Sequence, residues 1–325
     1  MGKKKMAVAN FNVVFFEGAN EKPLLDCFET IAYPAFKSGV KRVSGGAEYF
    51  FMDVEIAEES EGDLVLKGKL IKKTILEIKS DIDEMGNLVE KDDRYSTAPY
   101  SMFVIYLRNH RMIYIENQKG SPSLKSFSAM ARHVLNVYVR DNNKIYKEEH
   151  GEELPIPVLN VVGIPRREDL EKILKDVERV NTLTLKFMPL NGDGDVDLGN
   201  VFNNMTTELM RTLNFKSGEI VIKSPQNMLG IIEVIDKAQG TVEPVFRVTY
   251  PDKTKKTIKH DIISESMSID IPGDNIHDCE SAIVQKGKAI KSISYVSEEN
   301  NKIYERSKAK IIPFIKERES RRAND

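Results

Sequence analysis

With 325 residues, 41% of them hydrophobic, the chain is long enough for about two globular domains with real cores. Its formal net charge of −2 excludes a whole-chain attraction to nucleic acid, so polyanion binding would have to come from a local basic patch. Cys27 and Cys279, the two cysteines, make neither a disulfide framework nor a metal-ligand spacing, which points to a reducing, cytoplasmic setting.

The opening stretch is basic and then apolar, but Asn10 and Asn12 interrupt the apolar run and Glu17 ends it. It reads as a first strand over Phe11–Phe16 rather than a secretion signal. Met6 stands where a myristoylation pattern needs Ser or Thr. No run approaches the ~18 apolar residues that span a membrane, so no membrane partner is expected. Glu21–Lys37 reads as a helix that Pro34 ends. Ala47–Ala57 is strand-like. Leu64–Lys79 is either one strand with a bulge at Gly68 or two strands. The acidic run Asp81–Arg94, with Gly86-Asn87 at its middle, reads as an exposed hairpin tip or loop.

The clearest fold signal is Tyr100–Asp141. Phe103–Leu107 and Met112–Ile115 are two apolar strands joined by the polar turn Arg108-Asn109-His110-Arg111. Neither run alternates, which suits strands covered on both faces. Ser121-Pro122-Ser123 offers an N-cap ahead of a helix whose apolar face is Leu124, Phe127, Met130, Ala131, Val134, Leu135 and Tyr138. The polar stretch Asp141–Glu153, followed by Pro155 and Pro157, is the best boundary, although Leu159–Val162 could be one more strand of the first unit. Beyond it come a helix over Gly163–Val180, a strand over Thr182–Met188 and a helix over Leu198–Leu213. Strands over Gly218–Lys223 and Val242–Tyr250 flank a further helix, and a strand over Thr257–Ser268 follows. The expected fold is α+β: domains 1–153 and 154–325, mixed or antiparallel sheets, packed helices and ferredoxin-like elements, the second domain ending in a basic tail.

Three groups of residues could carry chemistry. At the hairpin turn, Arg108, His110 and Arg111 form either an anion site with His110 as general acid or base, or an ordinary solvated turn. Glu77 and Lys79 match the Glu-x-Lys of a metal-dependent nuclease, with Asp53 or Asp63 upstream and Mg2+ as the only cofactor implied; otherwise no cofactor is expected. Asp193, Asp195 and Asp197 resemble the start of a calcium loop. Leu198 stands where that loop needs Gly and Asn204 where it needs Glu, so a helix cap is the alternative. No Walker loop, GxGxxG, GxSxG or HExxH occurs. Two basic patches remain: Lys253, Lys255, Lys256 and Lys259 around one turn, and Lys308 and Lys310 in the C-terminal run. Either could hold nucleic-acid phosphates, or be a lysine-rich surface that serves solubility.

The stretch MFVIYLRNHRMIYIENQKGSPS, with Pro189-Leu190-Asn191 closing a later strand, resembles a family of uncharacterised bacterial proteins of the domain-of-unknown-function kind. The resemblance implies an accessory role near mobile elements or in anti-phage defence and supplies no catalytic residues. The leading expectation is therefore a nucleic-acid-binding or sensing component of such a system, acting on DNA or RNA. A nuclease and a protein-interaction subunit, with a partner from the same operon or a second copy of itself, are the alternatives.

Overall fold

Lys3–Glu17 (β1), a strand of 15 residues in this computed structural model, pairs along both its edges. Described here are residues 3–59, 62–187, 191, 212–213, 217–259, 267–270 and 290–322. Ala9, Phe11, Val13 and Phe15 point into one core and Met6 into another, which is the period of two a strand imposes. Asn10 and Asn12, which break the apolar run in sequence, are buried on the second face, where they bond to segments that cross it.

After β1 come Asn20–Pro23 (β2), a 3-10 turn Leu24–Cys27, a π turn Phe28–Ala32 and Tyr33–Lys37 (α1). The single helix expected over Glu21–Lys37 is thus three short pieces. Pro34 sits in the first turn of α1, where a missing N–H costs nothing, rather than at its end. Arg42–Ser44 (β3), Ala47–Glu58 (β4), Leu64–Ile82 (β5), Leu88–Thr97 (β6), Tyr100–Tyr106 (β7) and Arg111–Glu116 (β8) follow. β5 is one strand of 19 residues, and its pairing with β7 runs unbroken through Gly68. The irregularity lies in β4, between Met52 and Glu55. Gly68 is needed for space: a Cβ there would lie 2.9 Å from the Phe103 ring.

Leu124–His150 (α2) begins at Ser123, whose side chain accepts from the Ser126 N–H, and ends at Gly151 with φ of 76°. The helix therefore continues through the polar stretch expected to be a linker; its last turns are largely exposed and need no apolar face. Ile156–Gly163 (β9) then pairs with β1 from Phe16 back to Ala9. Arg167–Lys175 (α3), Arg179–Phe187 (β10), Gly218–Lys223 (β11), Met228–Ala238 (α4), Val242–Thr249 (β12), Lys255–Lys259 (β13), Met267–Asp270 (β14), Lys291–Ser294 (α5) and Glu298–Arg322 (α6) complete the described chain.

The larger sheet runs β14-β1-β8-β7-β5-β4-β3, with β2 and β9 also on β1 and β6 on β5. Every pairing is antiparallel. α2, the turns after β2, and α6 cover one face. Phe36, Phe51, Phe103 and Phe127 interlock there with ring centroids 4.7 to 6.4 Å apart. Met102, Val104 and Tyr106 pack on the opposite face with Ile113, Ile115 and Ile293, so the two non-alternating runs are strands covered on both sides.

The smaller sheet runs β11-β10-β12-β13, again antiparallel. β11 and β12 lie on either side of β10 and are joined by α4, a split β-α-β unit of the ferredoxin-like kind. α3 and α4 cover one face through Leu170, Leu174, Ile231, Ile232 and Ile235. The expected division after residue 153 is not where the sheets divide. β9 and β14 both belong to β1, and Ile303, Tyr304 and Ile311 of α6 sit in the larger core.

Candidate functional site

The turn Arg108–Arg111 is buried rather than solvated, because three later segments close over it. Asn109 donates to the carbonyls of Ile293 (2.6 Å) and Tyr295 (2.9 Å) and accepts from the Arg111 N–H (3.2 Å). Arg111 donates to the carbonyl of Gln239 at 2.9 Å. Arg108 lies over the Tyr304 ring at 4.6 Å, donates to Asn301 Oδ1 at 3.0 Å and sits 2.7 Å from Asp63 Oδ1. That last contact is an ion pair whose N–H is not aimed along a hydrogen bond. Tyr304 donates to the Gly62 carbonyl (2.6 Å) and accepts from the Leu64 N–H (2.9 Å).

His110 occupies the left-handed region, φ 56°, and is 1% exposed. Neither ring nitrogen has a hydrogen-bond partner among the described residues. Burial, and secondarily the Arg111 charge, push its pKa down to about 3. It is therefore a neutral imidazole sealed in the interior. Proton transfer to a substrate needs an accessible ring; of the two flanking cations, Arg108 pairs with Asp63, while Arg111 bonds to the neutral Gln239 carbonyl and its Nε has no hydrogen-bond partner among the described residues. The loop before β12 meets this turn at Gln239, and its next residue, Gly240, φ +78°, packs where a Cβ would come within 2.9 Å of Ile164 and 3.1 Å of both Asn10 and the Val162 carbonyl.

The nuclease-like residues are dispersed. Lys79 and Glu77 are 3.5 Å apart on the exposed end of β5. Asp63 immediately precedes β5, fourteen residues from Glu77, which at about 3.3 Å per residue is roughly 45 Å of extended strand. Asp53, at the β4 bulge, pairs with Lys69, eight residues or roughly 26 Å short of Glu77 along β5. Along the strand, neither Asp53 nor Asp63 lies beside the Glu77/Lys79 pair. No cluster of metal-binding side chains occurs among the described residues. Asp193, Asp195 and Asp197 lie outside the described residues.

The basic residues fare differently. Along β13, Ile258 turns into the core beneath α3 and α4, while Lys255, Thr257 and Lys259 are exposed on the opposite face. Register then places other residues beside them: Thr257 opposite Arg247, Arg247 opposite Thr182, and Thr182 opposite Lys223. The next row is Lys259, Val245, Thr184 and Val221. Lys223, Arg247, Lys255 and Lys259 thus share one solvent-facing surface, with Glu219, Lys186 and Glu243 at its far end. Lys256 lies elsewhere, 5.1 Å over the Tyr250 ring, and Lys253 is tied to Glu178 at 2.8 Å. Lys308 and Lys310 are on α6, against the larger core, with Lys308 5.9 Å from the Tyr304 ring. Sequence reading missed Lys223 and Arg247. The alternation within each strand was visible, but which strands are neighbours was not.

The model of a family described as Domain of unknown function (DUF4747) matches residues 4–228, more than half of the chain. The match takes in the whole hairpin turn and ends before β12 and β13. No curated protein and no solved structure matches. No helix among the described residues is long and apolar enough to cross a membrane.

Proposed function

Starting from a chain that belongs to the DUF4747 family, a family that brings no activity with it, we propose that the protein binds single- or double-stranded nucleic acid through the open face of its smaller sheet. One observation carries the reading: Lys223, Arg247, Lys255 and Lys259 face outward together on a surface whose other side chains include Thr182, Thr184 and Thr257. Ammonium and guanidinium groups meet phosphates, and threonine hydroxyls donate to phosphate or sugar oxygens. Such binding is backbone-directed and tolerant of sequence. A role in anti-phage defence belongs to the same proposal and rests on the family resemblance alone.

Four phosphate contacts give a slope of log K against log salt of roughly −3.6 on duplex DNA and about −2.8 on single strands. Fluorescence anisotropy with labelled DNA and RNA at low salt, repeated across a salt series, tests this. Lys255→Glu with Lys259→Glu should lower affinity and flatten the slope by about 2. Absence of binding to every nucleic acid at low salt refutes the proposal. Loss of plaque protection by the same double variant, in cells carrying the native operon, is the corresponding test of the defence role.

A further inference from the structure

Beyond Lys73, β5 leaves the larger sheet. Its pairing with β4 stops at Lys73↔Glu48, and among the described residues only β6 accompanies it from Thr74 to Ile82. The result is a two-stranded arm, about nine residues or roughly 30 Å long. Lys72 donates its N–H to the Pro99 carbonyl, so even-numbered residues bond toward β6. The N–H and C=O groups of Ile75, Glu77, Lys79 and Asp81 point to the other edge, where no described strand lies. Even-numbered side chains of β5 belong to the core face: Leu64, Leu66 and Leu70 lie in the main core, and Leu76, Ile78 and Ile82 continue that face outward. Tyr95 and Leu88 stand opposite Leu76 and Ile82. Leu76, Ile82, Leu88 and Tyr95 are 54%, 67%, 77% and 54% exposed, with no helical layer over them among the described residues. A lone two-stranded ribbon is marginal in water, and an open apolar edge is a template for another strand.

We propose that this edge pairs, antiparallel and two-fold symmetrically, with the same edge of a second copy of the chain, centred on Ile78. The charge pattern selects the partner and the register. About Ile78, Glu77 of one copy faces Lys79 of the other, twice. Thr74 meets Ile82, Ile75 meets Asp81 and Leu76 meets Ser80, while Lys73 and Asp83 flank each end. Both members of the 77/79 pair are odd-numbered, so they are the hydrogen-bonded pair of the new ladder. Sliding the centre to residue 77 sets Glu77 against Glu77, and sliding it to residue 79 sets Lys79 against Lys79; like charges directly opposite are unfavourable. The bulge in the arm lies in β6, where Ile78↔Asp93 is followed by Ser80↔Glu90, so the β5 edge stays regular. The dimer joins two larger sheets into one continuous sheet and places two apolar arm faces side by side.

Sedimentation equilibrium on the full chain tests this. The wild type should dimerise. Glu77→Lys alone and Lys79→Glu alone should each weaken the dimer roughly tenfold or more, since two attractive pairs become repulsive. The double swap Glu77→Lys with Lys79→Glu should restore it. Far-ultraviolet circular dichroism and the thermal midpoint at equal monomer fraction guard against misfolding. A wild type that stays monomeric at its highest soluble concentration overturns the proposal and leaves the edge to a different protein. So does a dimer indifferent to both single substitutions, or one that the double swap fails to restore.

Discussion

His110 gives the most direct handle on the buried turn. In the unfolded chain its imidazole takes a proton near the ordinary pKa of about 6.5, whereas in the folded protein it resists protonation down to about 3. The folded pKa is depressed, so below about 6.5 the unfolded state binds a proton that the folded state refuses, and stability falls as pH falls. Each pH unit within that window costs about 1.4 kcal/mol, and the drop from about pH 7 to about pH 5 comes to ~2 kcal/mol from this one group. Other titrations contribute to the same curve, so the readout is a difference. His110→Asn keeps a residue that tolerates the left-handed backbone and removes the titration. Urea unfolding of both proteins across this range should show the wild type losing about 2 kcal/mol more than the variant between pH 7 and pH 5. Parallel pH profiles would refute the sealed-histidine picture and reopen His110 as an exchangeable proton donor.

Asn109→Ala strips three hydrogen bonds, two of them buried, from the same turn and should cost about 3 kcal/mol, measured by the same urea titration. Proteolysis of that variant should begin near residues 290–295, whose carbonyls lose their donor. Gly240→Ala forces a side chain into a left-handed backbone with a 2.9 Å contact to Ile164, and should destabilise by about 1–3 kcal/mol while Gly120→Ala, open on all sides, costs less. Phe127→Ala empties the centre of the aromatic cluster and should cost about 3–5 kcal/mol by thermal or chemical unfolding. Lys255→Glu should reduce nucleic-acid affinity while Lys253→Glu, already occupied by Glu178, reduces it less.

What could be read from sequence was what is local. The β7–β8 hairpin and the start of α2 announce themselves within a few residues, through apolar runs, a polar turn and a capping serine. Leu24–Lys37 did not, because 3-10 and π turns share the apolar spacing of an α-helix and differ only in which carbonyl each N–H reaches. The pairing of the chain that follows residue 153 was illegible for a different reason. Charge and proline suggested a linker, yet β9 returns to β1 across more than a hundred residues of chain. His110 illustrates the same limit at the site. A polar hairpin turn is normally wet; this one is dry because residues 238–241 and 290–301, far along the chain, cover it. Half of the basic sheet face was visible as Lys255 and Lys259; Lys223 and Arg247 joined them only through register.

The pairing of β1 has a consequence for how the protein comes off the ribosome. Lys3–Met6 is completed on one side by Met267–Asp270. At about 5–20 residues per second, the first strand waits on the order of 10–50 s for that partner to be made. Throughout that interval it is an unpaired edge able to recruit strands from neighbouring nascent chains. The waiting segment is Lys3-Lys4-Lys5, and three successive positive charges repel an identical edge. Lysines on an open strand edge disfavour edge-to-edge pairing, which is the placement this run has.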